Sequence, residues 1–367
     1  MTRSRIISPL TADANRPEWV PELEGGTLLE KRRCARDKWD DIRMRLMREP
    51  RGHAEMYGAI LVQETELTRS GEADIGVLFC HNEGYSPMCG HASIALGRLL
   101  VDTHDLSIFP RRNGLVKDLS TGLVTLRLHA PCGIVQLSVP VKPDGHSDPT
   151  RPVSFIGVPS FPTERNLVVE IPADKVWPSL KAAGRSAVTL DIVYAGAFYA
   201  LVSASELGFP AGLRGATTLT ELNHATAALK ALLSSRTELF VHPTEADLNF
   251  LLGIIVREVT AQQRETGICF FAEQQIDRSP CGSGVMARMA LGMAQGRLRL
   301  GETCEYDSVV SILHGEPGHG FRGTAVEERE EGVIVKVEGR AFYTGASSFV
   351  VEEHNALPNG FVVGLPA

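Results

Sequence analysis

The stretch DRSPCGSGVMARMAL, Asp277 to Leu291, places a cysteine and three small residues directly ahead of a run with almost no polar face. Val285, Met286, Met289, Ala290, Leu291 and Met293 come after Cys281, interrupted mainly by Arg288. A helix so apolar on every side is expected to be buried. The arrangement has an earlier counterpart 192 residues upstream, where SPMCGHASIAL, Ser86 to Leu96, sets Cys89 ahead of Ile94, Ala95, Leu96, Leu99 and Leu100. Each cysteine therefore stands at or near a helix N-terminus, where unpaired backbone N–H groups and the helix dipole favour negative charge.

A thiol in that position ionises more readily than a free one, whose pKa is about 8.5. Gly90, Gly282, Ser283 and Gly284 leave backbone amides open to a carboxylate. Packing thiols beside glycine-containing caps are the plain alternative, but packing has no reason to repeat a proline and a Cys-Gly pair before a helix. A metal set of Cys89, His91, Asp277 and Cys281 lacks any usual ligand spacing, and no CxxC pair occurs. GSGVMA at 282–287 fits a loose dinucleotide spacing, yet Pro280 and Cys281 stand where a tight strand-to-turn connection is needed. Two thiols on opposite sides of one carbon suit acid/base chemistry at a stereocentre, with one ionised and the other protonated. His91 is then a candidate to orient or polarise the Cys89 site, and Asp277 to pair with a substrate ammonium group. Their plainer readings are a helix-turn hydrogen-bonder and a capping carboxylate.

Composition sets the frame. The chain has 367 residues, 43% of them hydrophobic, and a formal charge of −7, which argues against a nucleic-acid surface. Seven cysteines, an odd number, point to a reducing compartment, with Cys34, Cys80, Cys132, Cys269 and Cys304 read as core or surface thiols. The N-terminal residues lack a signal-type apolar region and no stretch approaches 18 apolar residues, so a cytoplasmic protein with no membrane span is expected.

Along the chain, residues 1–26 read as a loose lead-in. Thr27 and Glu30 have capping-box spacing, and Ala35, Trp39, Ile42 and Leu46 form one amphipathic helix with a solvated face of mixed charge. Strands are expected at YGAILVQE, ADIGVLF, LVTLRLHA, GIVQLSVPV, SFIGVPSF, RNLVVEI, VTLDIVYAGAFYALVS, LLGIIVREV, GICFFAE, SVVSIL, GVIVKVEGRAFY and SSFVVEE, and a helix at TTLTELNHATAALKALL. Short strands and a helix-forming cysteine motif occur twice, which is an α+β pattern with an internal duplication. Two domains are expected: residues 1–184, completed by 345–367, and residues 185–344.

MCGH at 88–91 and DRSPCGSG at 277–284 resemble the signatures of the proline racemase family, which also contains hydroxyproline 2-epimerases and trans-3-hydroxy-L-proline dehydratases. The resemblance continues through KRR at 31–33, EPRGH at 49–53, HNEGYS at 81–86 and TGASSFVVEE. It implies a diaminopimelate epimerase-like fold of two pseudo-symmetric α+β domains, each with strands wrapped around a central helix, and an active site between the helix N-termini. It also implies Cys89 and Cys281 as the acid/base pair, His91 and Asp277 beside them, and Gly90, Gly282 and Ser283 around a substrate carboxylate. No cofactor and no metal are implied. The expected partner is a small imino acid; a homodimer is left open.

HNEGYSPMCGHASIALGR and GSGVMAR look most like the eukaryotic 3-hydroxyproline dehydratase branch, in which threonine is typical at the second thiol position. Cys281 stands there instead, which favours two-sided proton transfer, so racemisation or 2-epimerisation is the expected reaction and dehydration the alternative. Binding of an imino acid without turnover is a further alternative. Residues 1–26 also lack the family's Asp-x-His-Thr-Gly-Gly segment, and Ala195 replaces a glycine in YAGAFY.

Overall fold

The computed structural model describes residues 5–7, 22–213, 219–261, 263–314, 320–347, 349–352 and 354–363. The chain divides into two compact units, Met1–Ile156 with Glu338–Pro366, and Gly157–Val337.

The first unit contains β1 (Arg5–Ile7), α1 (Leu28–Lys38), α2 (Asp40–Met47), β2 (Gly58–Val62), α3 (Glu66–Ser70), β3 (Ile75–Cys80), β4 (Tyr85–Ser86), α4 (Gly90–Asp102), β5 (Lys117–Asp118), β6 (Leu123–Ala130), β7 (Gly133–Pro140) and β8 (Val153–Ile156). Its neighbouring strands run antiparallel, except that β3 lies parallel to β6. Strands β2 and β3 are buried at every position, which is why GAILV and IGVLFC read as continuous apolar runs rather than alternating ones. Helix α4 packs on β7 and β8. At Gly97 the approach is close: a Cβ there would lie 3.0 Å from Val139 and 3.2 Å from Leu137.

The second unit contains β9 (Phe161–Glu170), α5 (Pro178–Ala182), β10 (Ala187–Tyr194), β11 (Phe198–Ser203), α6 (Leu219–Ser234), β12 (Leu251–Ala261), β13 (Arg264–Phe271), β14 (Gln275–Ile276), α7 (Gly282–Ala294), β15 (Thr303–Asp307), α8 (Val309–His314), β16 (Phe321–Arg329) and all but the last two residues of β17 (Gly332–Gly339). Its order runs β9, β10, β11, β12, β13, with β14 and β15 both pairing to β13 and β16 to β15; β11–β12 and β13–β15 are parallel. Helix α7 is buried without a break from Gly282 to Gly292 and packs against β9, β10, β11 and β16. Small residues permit this closeness, since a Cβ on Gly323 would meet Val285 at 2.7 Å and one on Gly157 would meet Met286 at 2.7 Å. Trp177, Phe198, Phe240 and Phe270 belong to this unit's core, and the Trp177 indole N–H donates to Leu207 O at 2.7 Å.

Several expectations change. The division falls after Ile156 rather than after residue 184, because β9 pairs along its length with β10. The C-terminal residues join the first unit from Glu338 onward, earlier than residue 345. Phe361 and Glu49 exchange backbone hydrogen bonds of 2.9 and 3.1 Å, and Tyr343 donates to Asp102 at 2.8 Å. The single helix expected after Thr27 is two helices broken at Trp39, although the Thr27–Glu30 capping box forms as read. The break brings Trp39 onto the apolar cluster around Leu28, Ala35 and Met47. SVVSIL is helical rather than extended: the Ser308 hydroxyl accepts Val310 N–H at 3.2 Å and caps α8. SSFVVEE forms no strand among its described residues; Val350 is exposed and its carbonyl accepts Arg51. Strands β15 and β16 carry too many charged residues to read as apolar runs. Ala195 fits because Gly196, at φ 78°, takes the left-handed conformation of the β10–β11 turn. Of the lead-in, residues 5–7 pair with β2, and the other positions of 1–21 lie outside the described residues.

The Gly97 contact yields a stability prediction. Gly97→Val is expected to overpack the α4–β7 contact at a cost of about 1–3 kcal/mol, lowering the urea midpoint at constant slope. An unchanged midpoint would contradict the close approach.

Candidate active site

Cys89 is the N-cap residue of α4, with extended backbone, and its carbonyl accepts both the N–H and the hydroxyl of Ser93 at 3.0 and 2.8 Å. Gly90 is the first helical residue. The Cys89 thiol is buried and lies 3.5 Å from His91 Nε2. The His91 ring meets Tyr57 edge-on, with centroids 5.3 Å apart, and the Tyr57 hydroxyl donates to Ser86 Oγ at 2.5 Å. Behind His91, a cavity of about 160 Å³ runs along α4 between Tyr57, Ala95, Leu99 and Phe342.

The loop that delivers Cys89 is held by two arginines that the amino-acid pattern places on a solvated face. Arg32, from KRR, donates to Tyr85 O at 2.7 Å. Arg43 donates to His81 O and Asn82 O, each at 2.6 Å, while Asp40 grips its other nitrogens at 2.6 Å. Both arginines are buried. Mixed charge on these helices thus includes internal anchors, because backbone carbonyls and Asp40 replace the water a guanidinium loses.

Cys281 is the N-cap residue of α7 and has φ 62°, an uncommon backbone for a residue with a Cβ. A chain of short-range bonds imposes it. Asp277 N–H donates to Cys269 O at 2.9 Å, Ser279 N–H donates to the Asp277 carboxylate at 2.8 Å, and Cys281 N–H donates to Ser279 Oγ at 3.1 Å. Arg288, which interrupts the apolar run, turns back on the same loop. Its guanidinium donates to Pro280 O at 2.5 Å, Gly284 O at 3.1 Å and Glu265 at 3.4 Å, and stacks 4.5 Å from the Tyr306 ring centroid. Asp277 therefore holds the turn ahead of Cys281 and does not cap α7, the plainer role read for it from the sequence.

The Cys281 thiol is buried among donors. Tyr199 Oη lies 3.7 Å and Ser283 Oγ 3.8 Å from its sulfur, and these two hydroxyls bond each other at 2.7 Å. Interaction with the thiol of Cys269, read from the sequence as a core or surface thiol, is the largest influence holding the Cys281 thiol below its ordinary range, against burial and Asp277, with Tyr199 and the Gly284 N–H adding to it. The same interaction, with burial, pushes Cys269 well up. At Cys80, by contrast, burial outweighs Arg43 and the Gly58 N–H and pushes the thiol up to about 12. Neither Tyr199 nor Cys269 had a signal in the motif itself, since both come from strands distant in sequence.

Thus His91 lies with Cys89, and Asp277, Gly282 and Ser283 lie with Cys281, each group within its own unit. Among the described residues no group of three or more His, Cys, Asp or Glu side chains is placed to hold a metal ion, and no helix is long and apolar enough to cross a membrane.

Comparison with known proteins places these features. The proline racemase family matches residues 19–362. A trans-L-3-hydroxyproline dehydratase of Pongo abelii is 42% identical over 352 residues, 94% of this chain and 89% of that protein. The Homo sapiens trans-3-hydroxy-L-proline dehydratase is 41% identical over 353 residues with the same coverage. Among solved structures, a probable proline racemase from Agrobacterium radiobacter K84, with bound carbonate, superposes with TM-score 0.76 at 24% identity over 94% of this chain and 91% of that one. A hydroxyproline epimerase from Agrobacterium vitis, with bound trans-4-hydroxy-L-proline, superposes with TM-score 0.75 at 21% identity over 94% and 89%. Both share the α+β fold.

Arg288→Met is expected to leave the buried Pro280 carbonyl without its guanidinium and the Glu265 carboxylate with Arg257 alone. A loss of about 3–5 kcal/mol in unfolding free energy should result, measured by urea titration. A parental midpoint would show that Arg288 is not the anchor of the Cys281 turn.

Proposed function

The chain belongs to the proline racemase family and is an enzyme of that family, and from this premise we propose that it dehydrates trans-3-hydroxy-L-proline to a pyrroline carboxylate. The observation that carries the reading is the identity of about four residues in ten to dehydratases over nearly the whole chain. It moves the weight from inversion, which Cys281 alone had favoured, to elimination.

In the proposed mechanism the Cys89 thiolate takes the Cα proton, with the His91 imidazolium beside it. The electron pair of the broken C–H bond forms the Cα–Cβ double bond as the C3–O bond breaks. His91 gives its proton to the departing hydroxyl, which leaves as water. The thiol and neutral imidazole that remain exchange one proton to restore the starting pair, so the cycle balances without a further reactant. Gly90, Gly282 and Ser283 are proposed to receive the substrate carboxylate at the helix N-termini, and Asp277 the ring ammonium. A pseudo-symmetric relation of the two units belongs to the same proposal, and each unit's buried thirteen-residue helix behind a cysteine N-cap supports it.

A second reading, 2-epimerisation of proline or hydroxyproline, rests on Cys281 being a thiol among hydrogen-bond donors. A threonine hydroxyl at 281 would be a poor base, whereas a thiolate can remove or return a proton on the opposite face of Cα.

Incubation with trans-3-hydroxy-L-proline, trans-4-hydroxy-L-proline and L-proline in deuterated water separates the readings by NMR. Loss of the 3-hydroxyl supports dehydration, deuterium at Cα with inversion supports epimerisation, and binding without change defeats both. Cys89→Ala is expected to lower dehydration by about 100-fold or more, the usual worth of a positioned base. Cys281→Thr should spare dehydration and suppress any inversion; equal inversion rates in variant and parent would remove Cys281 from the chemistry. Asp277→Asn is expected to raise KM more than it lowers kcat, and an unchanged KM would contradict its pairing with the ammonium group.

A further inference from the structure

We propose that Tyr57 is a positioning residue for His91: its ring keeps the imidazole on the Cys89 sulfur and out of the cavity along α4, and so couples removal of the Cα proton to loss of the 3-hydroxyl. The inference deepens the functional reading and rests on His91 giving its proton to the departing group. Every side chain involved belongs to the first unit. Tyr57 immediately precedes β2, whose first residue, Gly58, pairs with Cys80 of β3. Gly58 permits a close register, since a Cβ there would lie 2.9 Å from Met47 Cε and 3.0 Å from the Cys80 sulfur. The tyrosine ring is thereby set between two imidazoles, His81 with centroids 5.5 Å apart and His91 with centroids 5.3 Å apart and planes at 82°. Perpendicular rings at this separation attract one another.

The ring is also tied at its outer end. The Tyr57 hydroxyl donates to Ser86 Oγ at 2.5 Å, and the buried Ser86 donates in turn to Met88 O at 3.4 Å. Met88 is the residue before Cys89, so one side chain is joined both to the imidazole and to the loop that carries the thiol. Turning the tyrosine away would cost the Ser86 bond and the His91 contact together.

On the cavity side, α4 offers His91 no wall of its own. The residue one turn further along the same face is Ala95, and both line the cavity of about 160 Å³ together with Tyr57, Leu99 and Phe342. A dry cavity of about 150 Å³ in another protein accepts benzene, so this one has room for an imidazole. His91 Nε2 lies 3.5 Å from the Cys89 sulfur, and a change of rotamer would end that contact. With the Tyr57 ring gone, the proton intended for the hydroxyl is carried away from the reacting carbon while the thiolate stays. The electron pair left at Cα then recaptures a proton from the Cys89 thiol and the C3–O bond survives. In deuterated water that thiol has exchanged, so the recovered substrate carries deuterium at Cα.

Two measurements on the full-length protein test this, one of them independent of turnover. Diethyl pyrocarbonate modifies accessible imidazoles, and its rate at His91 is followed by mass spectrometry of the His91 peptide. Tyr57→Leu is expected to raise that rate by about 3- to 10-fold, the span that an edge-to-face ring pair is worth, while Tyr57→Phe, which keeps the ring, stays within about twofold of the parent. Adding Ala95→Leu to Tyr57→Leu refills the space and should bring the rate back towards the parent, a reversal that a general folding defect would not give. In the second measurement, trans-3-hydroxy-L-proline is incubated in deuterated water, and deuterium at Cα of recovered substrate is compared with product formed. The ratio of exchange to elimination should rise in Tyr57→Leu and not in Tyr57→Phe, whereas a smaller folded fraction would lower exchange and elimination together. A parental His91 rate in Tyr57→Leu, or equal increases in the Leu and Phe variants, overturns the proposal; if Tyr57→Leu does not fold, Tyr57→Met is read in the same way. A raised His91 rate in a protein whose parent eliminates nothing supports the positioning by Tyr57 and counts against the functional reading alone.

Discussion

Helix α7 is buried on every side over eleven consecutive residues, from Gly282 to Gly292, and that burial organises the second unit. No amphipathic arrangement can hide such a segment, so strands must approach it from several directions. β9, β10, β11 and β16 do so, and glycines at 157 and 323 bring their backbones to contact distance. The same constraint delivers the chemistry. A helix sunk into a core has its N-terminal amides sunk as well, so the cysteine that caps it is removed from water and must find its donors in the protein.

Buried arginines solve a related problem in both units. The loops that present Cys89 and Cys281 expose backbone carbonyls to the interior, and interior carbonyls without partners are costly. Arg32 and Arg43 serve Tyr85, His81 and Asn82 ahead of Cys89, and Arg288 serves Pro280 and Gly284 around Cys281. A guanidinium suits the task because its planar fork can reach two or more oxygens at once. Asp40 and Glu265 balance the buried charge, so these side chains act as backbone clamps rather than as surface decoration.

Elimination and inversion share their first event, removal of the Cα proton, and diverge at the second: a hydroxyl departs from Cβ, or a proton returns to the opposite face of Cα. Family membership establishes cysteine chemistry on this type of carbon, while the dehydratase relatives weight the proposal towards loss of a hydroxyl. Cys281 is the residue on which the proposed inversion would rest. Its surroundings matter as much as its identity, since burial pushes another thiol, Cys80, up to about 12.

Much of the fold was legible because its signals are local. Apolar runs marked β2, β3, β6, β7, β12 and β13, the Thr27–Glu30 spacing marked the start of α1, and two Cys-Gly pairs ahead of apolar segments marked α4 and α7. The break at Trp39, the helical SVVSIL and the charged strands β15 and β16 were not legible, because capping and cross-strand pairing overruled the local pattern there. By itself, the sequence determined that two thiols stand at helix N-termini and that the chain resembles the proline racemase family. Tertiary structure alone decided which groups surround each sulfur: Tyr199 reaches Cys281 across 82 residues and Cys269 comes from a neighbouring strand. Such contacts depend on strand register and helix approach, which are set by the packing of segments far apart in the chain and leave no spacing rule within the motif.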